Sequence, residues 1–386
     1  MAVTLEICRN IVNEISSRSD LAILCQVGRG FRSFAERALY NTLYMRNFRE
    51  SFLLSRTLST TKRIASLVDA LTIYTTAEDE AVSEDSDSEE EESNHDLPDE
   101  YWGYIAQALE HTTNLRYLNM HVANSANANA AWTLDNCSFQ LKGFHCDLNW
   151  DKHLVSFLNK QVKLNDLYLL DYVDVSGPST PTTSAPNPEE SSASLLPSAF
   201  PNLSTLECTF SEAAVVIVPH RPITRLKICF SRTQLPEKRE EMTLLMSKIR
   251  QSTRSLRSLD IADSEYTTSF SMELLSSIVN SRATSSELRY LGTLVLPISG
   301  RERLQFYGLL MRLPRIQCIE VEVSDWVPPP STPPAFRALA SEMRLYTPTV
   351  LRVVFVHNFD RTVVTVVDGV CRMDNDANHE LLWRET

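Results

Sequence analysis

Apolar and polar positions along this chain follow a recurring six-residue pattern, apolar-x-x-apolar-x-apolar. It occurs as Val68-Asp-Ala-Leu71-Thr-Ile73, Leu115-Arg-Tyr-Leu118-Asn-Met120, Leu141-Lys-Gly-Phe144-His-Cys146 and Leu164-Asn-Asp-Leu167-Tyr-Leu169. Further copies stand at 203–208, 223–228, 256–261, 291–296, 316–321 and 351–356. A single copy carries little weight, because a chain with 43% hydrophobic residues yields roughly thirty such matches by chance. The spacing carries the information. Two gaps are long, and the other seven average about 28 residues, a period at which supersecondary units repeat. Helical periodicity precedes most copies, over 98–110, 152–159, 237–250, 271–280, 301–312 and 336–346. Met272, Leu275, Ile278 and Val279 show it as a one-face stripe. Each unit reads as a helix followed by a short strand, and neither element can bury its apolar side alone. Stacking the units on a curved parallel sheet would do so, which makes the chain an α/β protein built as an irregular solenoid. An ordinary sheet of βαβ units is the alternative. The absence of a glycine-rich turn after any strand, in a chain with nine glycines, favours the solenoid.

The first fifty residues have another texture. Leu5, Ile7, Ile11, Val12 and Ile15 give one helical stripe, and Ser19-Asp20 caps a second that carries Leu21, Leu24 and Val27. Phe31, Phe34, Ala35, Ala38 and Leu39 give a third. Three short helices bury little apolar area, so such a module needs a partner or a neighbouring domain. Two segments break the globular texture. Residues 78–98 are acidic, with serines among the acids, and their self-repulsion predicts a disordered or solvated loop. Residues 174–201 are rich in Pro, Ser and Thr and read as a flexible surface insertion. The organisation is then a helical module at 1–47, a junction and first unit at 48–77, the acidic loop, helix–strand units at 99–173, the insertion, and further units at 202–386. Near the C-terminus the β-branched run 361–367, followed by Asp368-Gly369 and 370–373, predicts a hairpin that caps the array. The final Leu381-Leu-Trp383-Arg either packs there or serves as a docking peptide.

Charge and cysteine content narrow the function classes. The formal net charge is −12, but the acidic tract supplies it, and the remainder is close to neutral. No basic cluster marks a nucleic-acid face. No apolar run reaches the length that spans a bilayer, and Glu6 and Arg9 stand where a signal peptide needs apolar residues. The eight cysteines form no Cys-x-x-Cys pair, so a zinc site or disulfide framework is not expected, and the cytoplasm or nucleus is the expected compartment. The histidines show no metal-ligand spacing. His145 and Cys146 are neighbours in a strand-like copy, where side chains point to opposite faces. Gly28-Arg-Gly30 lacks the strand and third glycine of a phosphate loop. Nothing points to a cofactor or a catalytic residue. Ser83, Ser86 and Ser88, embedded in acids, suit an acidophilic kinase of casein-kinase type.

The N-terminal residues resemble an F-box. That family's motif opens Leu-Pro-x-Glu-Ile, continues through a spaced isoleucine or valine and an Asp-Leu pair, and ends Val-Cys-Arg-x-Trp/Phe. Here the matching run is Val3-Thr-Leu-Glu6-Ile7, Ile11, Ile15, Asp20-Leu21, Leu24 and Val27-Gly28-Arg29-Gly-Phe31. Thr4 stands in place of the proline and Gly28 in place of the cysteine. The order of a helical module and then irregular leucine-rich-repeat-like units is similar to fungal multigene families of F-box-like proteins. The resemblance implies a Skp-family adaptor and a cullin–RING ubiquitin ligase as partners, with a protein substrate of unknown identity held by the repeats. It implies adaptor contact by Leu5, Ile7, Ile11, Leu24, Val27 and Phe31, with no chemistry, nucleic acid or membrane involved. The rival readings are a repeat-based scaffold whose module no longer engages the adaptor and, more remotely, a hydrolase with a concealed site.

Overall fold

The computed structural model describes residues 4–75, 99–122, 127–170 and 194–386. The chain divides into two compact units, Met1–Phe200 and Pro201–Thr386. The acidic tract with Ser83, Ser86 and Ser88, and the tract at 171–193, lie outside the described residues.

The first unit opens with three helices, α1 (Leu5–Asn13), α2 (Arg18–Val27) and α3 (Arg29–Tyr40). There follow β1 (Thr42–Met45), α4 (Phe48–Thr60), α5 (Lys62–Ala65), β2 (Ala70–Tyr74), α6 (Asp99–His111) and β3 (Tyr117–His121). A 3-10 segment (Asn127–Leu134), β4 (Gly143–Cys146), α7 (Lys152–Asn159) and β5 (Asp166–Leu169) complete it. The five strands are parallel and pair in chain order. Their alternation sorts side chains into two faces. One face carries the rows Leu43–Leu71–Leu118–Phe144–Leu167 and Met45–Ile73–Met120–Cys146–Leu169, all buried. Helices cover this face, as Phe144 of β4 against Phe157 of α7 shows, with ring centroids 5.6 Å apart. The opposite face carries Tyr44, Thr72, Asn119, His145 and Tyr168 in one row.

The second unit runs β6 (Thr205–Phe210), α8 (Ser211–Ile217), β7 (Arg225–Cys229), α9 (Leu235–Ile249), β8 (Ser258–Ala262), α10 (Thr268–Asn280) and α11 (Arg282–Ser285). It continues through β9 (Tyr290–Val295), α12 (Gly300–Leu310), β10 (Cys318–Glu322), α13 (Pro333–Tyr346) and β11 (Arg352–His357). It ends with β12 (Asp360–Val367), β13 (Val370–Met373) and a last short helix, α14 (Leu382–Glu385). Strands β6 to β11 are parallel and in chain order, and the hairpin β12–β13 adds to β11 antiparallel. The hairpin turn is at Asp368-Gly369, both with positive φ, as its sequence demands.

One hydrogen-bond device sets the register. The carbonyl of a single residue just before each of β1 to β4 and β6 to β10 accepts from two successive N–H groups at the start of the next strand. Asn41 accepts from Asp69 and Ala70, Asp69 from Arg116 and Tyr117, Arg116 from Lys142 and Gly143, and Lys142 from Asn165 and Asp166, all at 2.7–3.1 Å. In the second unit Ser204, Thr224, Arg257, Arg289 and Gln317 do the same toward the strand that follows. The residue before each of these carbonyls is the first apolar residue of the pattern. Val68, Leu115, Leu141, Ile223, Leu256 and Ile316 are accordingly buried.

All six helices expected from periodicity are present within three residues of the expected bounds. Several expectations need correction. The eighth copy starts at Leu288 and not at Leu291, and the tenth at Val350 and not at Leu351, since Leu288 and Val350 are buried while Leu351 is 47% exposed. A copy nearer the N-terminus, Tyr40-Asn-Thr-Leu43-Tyr-Met45, forms β1, so strand structure begins inside the segment expected to be purely helical. The cap of α2 is Ser17, whose side chain accepts from the N–H of Asp20, rather than Ser19-Asp20. Residues 194–201 fall within the expected flexible insertion, but Ala199 and Phe200 are buried.

Gly292 marks an irregularity in β9, whose register against β10 shifts by one residue. A Cβ at Gly292 would stand 1.9 Å from the Asp260 carboxylate oxygen and 2.8 Å from its Cα. Gly292→Ala should therefore destabilise the protein by about 1–3 kcal/mol. Gly308, in α12 with open space around it, should gain about 0.5–1 kcal/mol on conversion to Ala. Urea denaturation of the two variants checks the contrast.

Candidate functional site

Three surfaces stand out as places where a partner could be held. The first is the helical module. Thr4 caps α1, its side chain accepting from the N–H of Ile7 at 3.4 Å. A threonine cap starts the helix as a proline in the first turn would. Gly28 links α2 to α3 with extended backbone, and a Cβ added there would meet nothing within 4 Å, so a side chain fits. Helix α3 packs against both α1 and α2. The module core is Val12, Leu21 and Ala35, ringed by Ile15, Leu24, Cys25, Phe31, Phe34 and Leu39.

The six expected adaptor-contact residues therefore separate. Leu5, Ile7, Ile11 and Val27 stand in solvent, at 64, 49, 40 and 62% exposure. Leu24 and Phe31 are packed against the module core and offer only their edges. Ile23, 60% exposed, is not among the residues expected from the sequence. It lies four residues before Val27, as Ile7 lies four before Ile11, so each of α1 and α2 shows an aliphatic pair on one side. The signal is present in that spacing, but position 24 fits the motif and draws attention from position 23.

The module is tied to the helix–strand units after it. Glu36 of α3 is buried between Arg32, at 2.9 Å, and Arg63 of α5, at 3.0 Å. The Arg63 hydrogen bonds above all, then Arg32, hold the Glu36 carboxyl down at about 2, although burial pulls the other way. Arg18 of α2 also donates to the carbonyl of Thr42 in β1 at 2.8 Å.

The second surface is the sheet face of the first unit away from its helices. Tyr74 and His121 stack there with centroids 5.0 Å apart, and His145 meets Tyr168 edge-on at 5.5 Å. The guanidinium of Arg46 lies over the rings of Tyr44 and Tyr74. Gly143 leaves room for the Tyr117 ring, whose nearest atom would be 3.1 Å from a Cβ. Burial lowers the pKa of His121, with Asp147 opposing and His145 adding to the effect. His145 is half-buried on this face while Cys146 is buried on the other, as strand alternation requires.

The third surface is the corresponding face of the second unit, with the row Glu207, Lys227 and Asp260 across β6 to β8, and Glu320 and Val354 on β10 and β11. Lys227 pairs with Glu207 at 3.1 Å. Glu320 accepts from the Tyr290 hydroxyl at 2.6 Å and from Thr293 at 3.0 Å. This face is covered in part by the C-terminus. Leu382 and Trp383 are each 2% exposed and pack on Tyr290, Cys318, Val354 and Val363. Arg384 donates to Glu207 at 2.7 Å and lies 4.5 Å over the Trp383 ring, while the Lys227 ammonium is 5.6 Å from that ring. So the terminal Leu-Trp-Arg packs, as one of its two expected fates required, but across the sheet face and not only on the hairpin.

Among the described residues, no group of three or more His, Cys, Asp or Glu is arranged to hold a metal ion, and no helix is long and apolar enough to cross a membrane. Burial pushes the thiols of Cys137 and Cys146 up to about 12, which keeps them protonated at neutral pH. The sequence matches no protein-family model and no curated protein.

Two carboxylates make stability depend on pH in opposite senses. Glu36 has a depressed pKa, so its contribution is present above the ordinary carboxylate range and is lost as pH falls from about 4.5 toward 2. Glu36→Gln should cost about 1–2 kcal/mol at pH 7, and the deficit should vanish near pH 2. Asp260 is raised to about 7 by burial first and then by Glu320, with Lys227 and Arg361 opposing. The folded state then holds a proton that the unfolded state has released, so stability falls as pH rises from about 4 to 7. Asp260→Asn should raise the melting temperature at pH 8, and the gain should shrink toward pH 4. Thermal melts from about pH 2 to pH 8 check both.

Proposed function

We propose that this chain is a substrate-recognition adaptor of a cullin–RING ubiquitin ligase. In this reading α1 to α3 are an F-box-like module that docks a Skp-family adaptor. The helix–strand units are a leucine-rich-repeat-like solenoid whose sheet faces on the side away from the helices hold a protein substrate. The chain then contributes no bond chemistry. It raises the substrate's effective concentration beside the ubiquitin-conjugating enzyme. The reading places it in the cytoplasm or nucleus, where its cysteines stay reduced.

The observation that carries the reading is the pair of exposed aliphatic edges, Ile7 with Ile11 and Ile23 with Val27, on a module whose own core is closed. Nothing in the folding of the module requires these side chains to be apolar. Burying one is worth about 1.5–3 kcal/mol, and a micromolar complex needs about 8 kcal/mol, so several must be buried together. Parallel strands in chain order, with helices against one face, support the repeat part of the reading, because that arrangement leaves the other face free for a ligand.

The test is capture of the full chain by an immobilised Skp-family adaptor, with Ile11→Asp and Ile23→Asp as variants. A change at Leu24 would not isolate docking from folding, since Leu24 packs on the module core. A carboxylate in an apolar contact costs several kcal/mol, so each variant should lose capture by more than about tenfold while its melting temperature stays near that of the wild type. A folded wild type that the adaptor fails to capture refutes the reading and leaves a repeat-based scaffold.

A further inference from the structure

The covered face of the second unit differs from a protein core. Leu382 and Trp383 close over the apolar patch of Tyr290, Cys318, Val354 and Val363. Charged groups border that patch: Lys227 lies 5.6 Å from the Trp383 ring and pairs with Glu207, which accepts from Arg384. The Glu207–Lys227 pair is one that water could also satisfy. The covering piece is also slight. Asp374 is fastened next to the hairpin by the Thr365 hydroxyl at 2.8 Å and by the Val363 carbonyl. From there to Leu381 the chain is exposed or half-exposed. Ala377 packs beside the patch, and Leu382, Trp383 and the Arg384–Glu207 pair grip the face. Anchor, tether and plug can separate without breaking any strand pairing. The cost of opening is the exposure of Leu382, Trp383 and the apolar patch of Tyr290, Cys318, Val354 and Val363.

We infer that this face is a docking site for a peptide segment in which a leucine and a large aromatic residue precede an arginine or lysine, and that the chain's own Leu382-Trp383-Arg384 occupies it in cis. The chemistry of the occupant follows from its seat. The apolar patch takes the leucine and the aromatic ring. The ammonium of Lys227 faces that ring, a favourable cation–π arrangement. Glu207, at the edge of the row, takes the cation. The inference deepens the proposed substrate role and rests on it only for the word substrate, because the docking site stands on these contacts whether or not an adaptor binds the helical module. The tail is a tethered competitor at high effective concentration, so an incoming peptide must displace it.

The probe is a fluorescein-labelled synthetic peptide of residues 374–386, titrated by anisotropy without any adaptor. It is added to the full wild-type chain and to the full chain carrying Trp383→Ala with Arg384→Glu. The wild type should bind weakly, and the variant, its plug weakened, should bind about tenfold more tightly or better. Glu207→Lys introduced into that variant should abolish the gain. A folded variant that binds no more tightly than the wild type overturns the proposal. If the variant does not fold, hydrogen exchange on the wild type decides. Amides at 381 and 386 that exchange well before those of β7 to β10 support a plug that opens by itself, and exchange only on global unfolding overturns it. Peptide docking without capture by the adaptor would refute the ligase reading alone, and capture without docking would refute this inference alone.

Discussion

The parallel strands of both units depend on single carbonyls that stand just before β1 to β4 and β6 to β10. Each accepts two successive N–H groups at the start of the next strand, so that strand is pinned before its own ladder begins. A parallel strand of four to six residues forms few cross-strand bonds, and its register is weakly held by them alone. A slip of one residue would send every core side chain to the solvent face. With the start pinned, the first apolar residue of each pattern falls beneath the preceding helix. The next two then point into the core, as Leu118 and Met120 do after Leu115.

That constraint produces the asymmetry on which the functional reading rests. The buried face is used up by packing. The other face is not covered by the helices between the strands, and it is there that titratable and aromatic groups collect: Arg46, Tyr74, His121 and His145 in the first unit, and Glu207, Lys227, Asp260 and Glu320 in the second. In the first unit these side chains meet by ring stacking, edge-on ring contact and a cation–π contact, and remain partly accessible. In the second the C-terminus lies over them. The bulge at Gly292 belongs to the same crowding, since the Asp260 side chain lies where a Cβ would otherwise be.

Much of this was legible in the residues. Helices at 152–159 and 336–346 declared themselves by period, and the hairpin turn at Asp368-Gly369 by a dipeptide that suits two positive φ values. Register was legible only where apolar residues are sparse. In the runs 288–296 and 350–356 several frames satisfy the same pattern, and only pairing with the neighbouring strand selects among them. The strand at Thr42–Met45 was hidden because Tyr40 continues the stripe of the helix before it. On α2, Ile23 and Leu24 differ by about 100° around the helix axis. Which of them meets α3 depends on how two helices dock, and no local propensity contains that.

The sequence by itself determined the class of fold, the alternation of helix and strand, the separate character of the first forty residues and the absence of a local catalytic motif. These follow from periodicity and composition, which act over a few residues. Tertiary structure alone decided which aliphatic side chains of the module are left in solvent, and where the last residues go. Leu382 and Trp383 advertise a need for burial, but not its place. Arg384 meets Glu207 across 177 positions of sequence, because parallel strands in chain order bring β6 and the C-terminus to one face. Contacts at that range are set by the geometry of the sheet, and no stretch of the chain encodes them alone.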